Sequence, residues 1–206
     1  MTRTHTTRSR RQIARLISIF IAVFFAAPFG FEHKALAQAI PHDLFPTNIH
    51  TYHLRKTTDF ERHYKGLGRS FSFFPIKGGN TAITVYVYNH NRVEIPDGVD
   101  SDILDQEFQK AKRDIFSSKP EAIQIGSDEN ISREAVSYKF AAFDLPDKWE
   151  PDFSLLHMTA RGGLFIKVRS TMTSNLHLNR LLHDQDLFLT ELSKELHNRI
   201  PLKSRN

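Results

Sequence analysis

Several familiar signatures of chemistry are absent from this chain. It has no cysteine among its 206 residues, so it forms no disulfide and no thiolate metal site. No Gly-x-Ser-x-Gly motif is present, and Ser70 enters a predicted strand instead of the strand-to-helix turn that such a serine needs. The histidines include no His-x-x-x-His pair on a predicted helix. These absences favour scattered surface histidines over a metal site, and the spacing of Asp, His and Ser residues identifies no triad.

The N-terminal residues have the order of regions that is typical of a secretory signal peptide. Met1–Arg15 carries five arginines and no acidic residue, and Leu16–Phe31 is almost wholly apolar. The apolar run is shorter than the ~20 residues that a membrane-spanning helix needs. Small residues then predict cleavage at Ala37-Gln38 or at Ala39-Ile40. Arg10-Arg11 also leaves export of the folded protein through a twin-arginine route as an alternative.

The positive net charge belongs to this leader. The whole chain has a formal net charge of +5, but residues 1–37 contain six basic residues and one acidic residue. Removing them leaves 22 of each kind, so the mature chain has no net charge. This balance argues against a nucleic-acid partner. We therefore predict a periplasmic or secreted protein with no stable membrane anchor after cleavage.

The remaining chain is long enough for one domain with a hydrophobic core. Residues 38–58 are predicted to form an N-terminal arm with a possible short strand at Thr51–Lys56, and residues 201–206 a polar tail. Residues 59–200 are predicted to form a single α+β domain with a mainly antiparallel sheet of about six or seven strands. Two amphipathic helices complete the order strands, helix, four strands, helix, which leaves an α/β/α sandwich open.

The clearest local pattern is strand, loop and helix over residues 81–112. Thr81–Tyr88 alternates β-branched and aromatic residues, as a strand does. Pro96-Asp97-Gly98 predicts a turn, and Ser101 or Asp100 can cap the following helix. The predicted buried stripe of that helix contains Leu104, Phe108, Ala111 and Ile115, whereas the helix carboxylates, including Glu107, are expected to face solvent.

Two hairpins permit a prediction of register. A three-residue turn at Gly78–Asn80 places Phe71 and Phe73 on the same face as Ile83, Val85 and Val87. The helix that a phosphate cradle needs does not follow these glycines. A second three-residue turn at Arg161–Gly163 places His157 opposite Lys167.

The other elements follow from shorter patterns. Ala122–Ile125 and Ser132–Phe143 are predicted strands with a turn at Gly126–Asn130 between them. Ser174 or Asn175 is predicted to cap the last helix, which is expected to end near Arg199 with Asp184, Gln185 and Asp186 toward solvent.

The order of elements over residues 60–200 resembles that of the PsbP-like α/β/α sandwich proteins. This group includes extrinsic photosystem subunits and bacterial exported domains. The strand Val85–Tyr88, the turn Ile95–Gly98 and the capped helix are also similar to those of short, uncharacterised bacterial exported proteins. The resemblance implies a fold and export, and it transfers no functional residue.

The polar face of the last hairpin is the candidate site. In the register given above, His157, Lys167 and Arg169 share a face that Tyr86 and Tyr88 can also join. Such a face can bind an anionic small ligand or a partner protein. The sequence therefore favours an exported, non-enzymatic domain with no catalytic residue, metal or cofactor. A hydrolase-type enzyme with a site assembled from distant residues is the alternative.

Overall fold

The structure is a computed structural model that describes residues 40–79, 81–146, 152–173 and 178–203. The described residues do not include the predicted leader, the predicted helix caps Ser174 and Asn175, or residues 204–206. They also leave out Trp149, the one tryptophan of the chain. Cleavage of residues 1–37 stays a prediction.

The described residues form one eight-stranded antiparallel sheet and two α-helices. The predicted α+β class and the order of helices and strands are confirmed. The count exceeds the six or seven expected strands because the short segment Asn48–Ile49 also pairs with the sheet. The elements are β1 Asn48–Ile49, β2 Tyr52–Asp59, β3 Arg69–Pro75, β4 Thr81–Tyr88, α1 Asp102–Ser118, β5 Ile123–Arg133, β6 Val136–Leu145, β7 Asp152–Arg161, β8 Leu164–Thr173 and α2 Leu178–Arg199.

The strand order across the sheet is β1-β2-β3-β4-β8-β7-β6-β5. Each half of the sheet is a run of four consecutive antiparallel strands. Among the described strands, the two halves are hydrogen-bonded to each other where β4 pairs with β8.

The two helices cover opposite faces of the sheet, so the architecture is an α/β/α sandwich. Phe188, Leu192 and Leu196 of α2 pack in one cluster with Ile83 and Val85. On the other face, which we call the α1 face, the buried side chains of α1 pack against β6, β7 and β8. That cluster includes Leu104, Phe108, Ala111, Ile115, Phe143, Leu156, Met158 and Phe165.

Helix α1 begins as its sequence predicts. Ser101 is the N-cap, and its Oγ accepts a hydrogen bond from the backbone N–H of Leu104 at 3.2 Å. Asp102 and Asp105 lie in the first turn, where negative charge is favourable. The predicted apolar stripe is buried, but Glu107 is buried with it, which corrects its predicted exposure.

The β3–β4 hairpin has the predicted faces but a longer loop. Phe73 pairs with Ile83 and Phe71 with Val85, so the apolar sets share a face. The strands end at Pro75 and begin again at Thr81, so the loop has two residues more than the predicted turn. A register shift of two residues preserves the face of every side chain, because side chains alternate with a period of two.

The predicted turn at Gly126–Asn130 is wrong. Strand β5 continues through this segment, with an irregularity between Ile125 and Glu129 in its pairing with β6. Gly126 has a φ of 70° there, a conformation that glycine adopts without steric cost. The chain reverses instead at Glu134 and Ala135, and Glu134 has a φ of 51°.

The stretch expected to be an N-terminal arm contributes to the core. Strand β1 and most of β2 lie within residues 38–58. Ile40, Leu44 and Phe45 are buried in the same cluster as α2. The ring of Phe45 meets that of Phe71 edge-on, with centroids 4.9 Å apart.

Candidate functional site

The pairing of β4 with β8 brings four of the five predicted site residues together. Tyr86 pairs with Lys167, and Tyr88 and Arg169 lie one row to either side on the same α1 face. Tyr86, Lys167 and Arg169 are partly exposed, whereas Tyr88 is buried. These four residues form what we call the tyrosine–lysine cluster.

The ammonium group of Lys167 lies over the two tyrosine rings. Its Nζ is 4.7 Å from the ring centroid of Tyr86 and 5.7 Å from that of Tyr88. Such cation–π contacts stabilise a cation by ~0.5–2 kcal/mol. Among the described residues, no carboxylate lies within ion-pair distance of this ammonium group. Burial lowers the pKa of Lys167 to about 8, and the charge of Asp114 offsets this effect only in part.

Tyr88 connects the cluster to a buried carboxylate on α1. Its hydroxyl donates to Oε1 of Glu107 at 3.0 Å, and Nε2 of His90 lies 3.1 Å from the same oxygen. Burial by itself raises the pKa of Glu107, but the hydrogen bonds and the charges of His90 and Lys110 outweigh it and lower the pKa to about 2. Glu107 is therefore ionised at neutral pH.

The tyrosine hydroxyls stay protonated at neutral pH. Burial raises the pKa of Tyr88 well above its usual value, and the charge of Glu107 raises it further. Burial also raises the pKa of Tyr86, against an opposing effect of Arg169. Arg169 donates from Nε to Oγ of Ser154 at 3.3 Å. The cluster thus presents the Tyr86 hydroxyl and two cations at its partly exposed end, and at its buried end Tyr88 donates to the ionised Glu107.

His157 does not belong to this cluster. Arg161 pairs with Leu164, so the β7–β8 turn has two residues, Gly162 and Gly163, and His157 pairs with Val168 instead of Lys167. The difference of one residue moves the His157 side chain to the α2 face. Both glycines have positive φ, 61° and 78°, as a type I′ hairpin turn requires.

On the α2 face His157 is a buried, neutral residue. Its Nδ1 lies 3.0 Å from Nε2 of Gln185, and its ring is 4.8 Å from that of Phe140. Burial lowers the pKa of His157 to about 3, and the charge of Arg133 lowers it further. Gln185 is accordingly buried, which corrects its predicted position toward solvent.

The sequence did contain a signal for Glu107. Its position continues the spacing of three and four residues set by Leu104, Phe108 and Ala111. The sequence nevertheless predicts exposure, because carboxylates are rarely buried without partners. The partners, Tyr88 and His90, come from the end of β4, and no local pattern brings them to the helix.

Two depressions lie elsewhere in the described part of the chain. A depression of about 340 Å³ is lined by Asn48, His53, Arg55 and Ile76 at one end of β2. Another of about 180 Å³ lies between the β5–β6 turn and the end of β7. Within the described ranges, no three His, Asp or Glu side chains are grouped so that they could hold a metal ion. None of the helices described there combines the length and apolar character that crossing a membrane requires.

No protein-family model and no curated protein sequence matches the chain. Among solved structures, it is similar to the solution structure of cyanobacterial PsbP (CyanoP) from Synechocystis sp. PCC 6803. The TM-score is 0.41 at 15% sequence identity, and the match covers 69% of this chain and 84% of that one. At this level of similarity the match carries no argument about the fold, ligands or partners of this chain.

Proposed function

We propose that this protein is an exported, non-enzymatic domain that binds the anionic group of a ligand or partner at Lys167. The observation that carries the proposal is the position of the Lys167 ammonium group. It is partly buried over two tyrosine rings, with no carboxylate at ion-pair distance among the described residues.

The energetic argument starts from the cost of this arrangement. Taking a cation out of water destabilises its charged form, and cation–π contacts offset only part of that effect. Burial accordingly lowers the pKa of Lys167 to about 8. A bound carboxylate, phosphate or sulfate group would supply a counter-charge and raise this pKa toward its usual value.

The neighbours of Lys167 favour such a group over a neutral ligand. Arg169 supplies a second cation one row away, and Tyr86 supplies a hydroxyl donor that stays protonated at neutral pH. Charge-assisted hydrogen bonds from these groups are about twice as strong as neutral ones.

Export is the second part of the proposal, and its support lies in the sequence of residues 1–37. Mass spectrometry of the protein recovered outside the cytoplasm is expected to give an N-terminus at Gln38 or Ile40. An N-terminus at Met1 would contradict it. Replacing Arg10 and Arg11 by Lys is expected to block export only if the twin-arginine route is used.

Native mass spectrometry of the protein purified from its own host tests the binding part. We expect a bound anionic species on the wild type and on Lys65→Met, whose lysine is exposed on a separate loop, and loss of that species in Lys167→Met. Equal retention by all three proteins would refute a role for Lys167. Turnover of the bound species by the wild type would favour the hydrolase alternative instead.

A further inference from the structure

The α1 face of β2, β3 and β4 forms an open surface next to the tyrosine–lysine cluster. Helix α1 packs on β6, β7 and β8, and the α2 cluster lies on the opposite face. Lys56 on this surface is exposed, and Ser72 and Thr84 are partly exposed. In the described part of the chain, the α1 cluster includes Tyr88 of β4 and packs against Tyr86, but it contains no residue of β2 or β3.

The register of the sheet arranges the side chains of this surface in a row. Lys56 pairs with Ser72, Ser72 with Thr84, and Thr84 with Arg169. We call these four residues the cation–hydroxyl row. Neighbouring strands are about 4.8 Å apart, so the row spans about 14 Å from β2 to β8. The hydroxyl oxygens of Ser72 and Thr84 are 3.3 Å apart at its centre.

The strands that build this surface carry almost no negative charge. Asp59 is the only acidic residue in β2, β3, β4 and β8. Its register with Arg69 places it on the α2 face, where it binds the guanidinium of Arg69 at 2.9 Å. Arg55, at the β2 irregularity, adds a cation whose Cζ is 5.5 Å from the ring centroid of Phe74. The strands therefore give this surface cations and hydroxyls, while the charge of Asp114 on α1 acts on Lys167 and Arg169 at its edge.

We propose that the cation–hydroxyl row binds an acidic polysaccharide, a linear glycan that carries carboxylates along its length. The cations at the two ends of the row stand on strands about 14 Å apart, so a ligand with repeated anionic groups can engage both at once. Hydroxyl side chains between them match the hydroxyl groups of a sugar. This inference rests on the proposed function, because Arg169 and the neighbouring Lys167 belong to the same face.

The position of the row inside the sheet argues against an acidic peptide. An extended peptide gains most of its affinity by pairing its backbone with a free strand edge. Strands β3, β4 and β8 each have a hydrogen-bonded neighbour on both sides, and β1 pairs with β2 at Tyr52 and His53. A ligand that lies over Ser72, Thr84 and Arg169 therefore meets side chains alone, which suits a glycan better than a peptide strand.

Isothermal titration calorimetry of the mature chain with polygalacturonate tests the inference. Dextran serves as the neutral glycan and polyglutamate as the non-glycan polyanion. We expect Lys56→Met to weaken polygalacturonate binding about tenfold and Thr84→Val to weaken it severalfold, since one removes a charge-assisted contact and the other a neutral one. Lys65→Met removes an exposed cation outside the row and is expected to change affinity less than about twofold.

Three outcomes would overturn the inference. They are equal affinity for polyglutamate and polygalacturonate, undiminished binding by both row variants, and no binding of polygalacturonate by the wild type. Circular dichroism of each variant checks that the fold is retained. A Lys167-dependent anion seen by native mass spectrometry together with absent glycan binding would refute the row and leave the proposed function standing. If neither a Lys167-dependent anion nor glycan binding is found, both the proposed function and the role of the row are refuted.

Discussion

Replacing Glu107 by Gln is expected to destabilise the protein at neutral pH and to have little effect in acid. The carboxylate accepts hydrogen bonds from Tyr88 and His90, and its pKa falls from 4.5 to about 2. One pKa unit corresponds to ~1.4 kcal/mol, so this lowering of the pKa contributes about 3.5 kcal/mol to the free energy of unfolding. In a domain of this size such a loss lowers Tm by about 7–14 °C.

The sign of the pH dependence follows from the direction of the shift. Because the folded pKa is the lower one, this stability is fully present above pH 4.5, and it disappears as the pH falls toward about 2. The wild type should therefore lose its advantage over Glu107→Gln across this window. The variant keeps the shape of the side chain, so the comparison isolates the charge.

Urea denaturation at about pH 7 and at about pH 2.5 measures the difference. Glu121→Gln is the matched control, because Glu121 is exposed and lies just beyond the same helix. This substitution is expected to change the free energy of unfolding by no more than ~0.5 kcal/mol at both pH values. The reasoning would be refuted if Glu107→Gln lowered the free energy of unfolding no more than the control does, or by the same amount at both pH values. Either result would show that the charge of the buried carboxylate does not stabilise the fold.

Two further substitutions probe the site and its support. Lys167→Met is expected to abolish anion binding and to raise the free energy of unfolding at neutral pH, because it removes a partly buried charge. The pKa of Lys167 is about 8 in the folded protein and 10.5 in the unfolded chain, so this gain should shrink as the pH rises between these two values in urea denaturation. A gain that does not change with pH would contradict this reasoning. Gly68→Ala should cost more than about 2 kcal/mol, since φ is 64° and a Cβ would lie 1.8 Å from the carbonyl oxygen of Val87. Gly78→Ala, with φ of 83° and no atom within 4 Å of its Cβ, should cost only about 1 kcal/mol, and thermal melts that rank the two equally would refute the steric explanation.

The faces of the β3–β4 hairpin were predictable because only one face of those strands is strongly apolar. Phe71 and Phe73 had to join Ile83, Val85 and Val87, and any loop with an odd number of residues satisfies that condition. The exact loop length was not predictable from this pattern. The error in the loop length therefore left the predicted buried faces intact.

The faces of the β7–β8 hairpin were not predictable from hydrophobicity. Leu155 and Leu156 are both buried, as are Phe165 and Ile166, because helices cover both sides of these central strands. The pattern therefore accepts either register. The deciding signal was the pair Gly162-Gly163, which is the sequence expected of a two-residue type I′ turn.

The candidate cluster was predictable only where the pairing of distant strands happened to agree with local patterns. Tyr86 and Lys167 were expected on a common face, and they pair directly. The prediction that His157 shares this face depended on the register of the β7–β8 hairpin. The involvement of Glu107 depended on a contact between α1 and the end of β4, which spans 19 residues of chain and leaves no trace in periodicity.

The junction of β4 with β8 has a consequence for how the protein becomes functional. Each four-strand run can form through contacts between neighbours in sequence, whereas β4 and β8 must close a loop of more than seventy residues before they pair. Tyr86 and Thr84 come from one run, and Lys167 and Arg169 from the other. The proposed binding groups therefore do not exist as a site in either half alone. Ligand binding would report completed folding, and a bound ligand would hold the two halves of the sheet together at the contact that forms last.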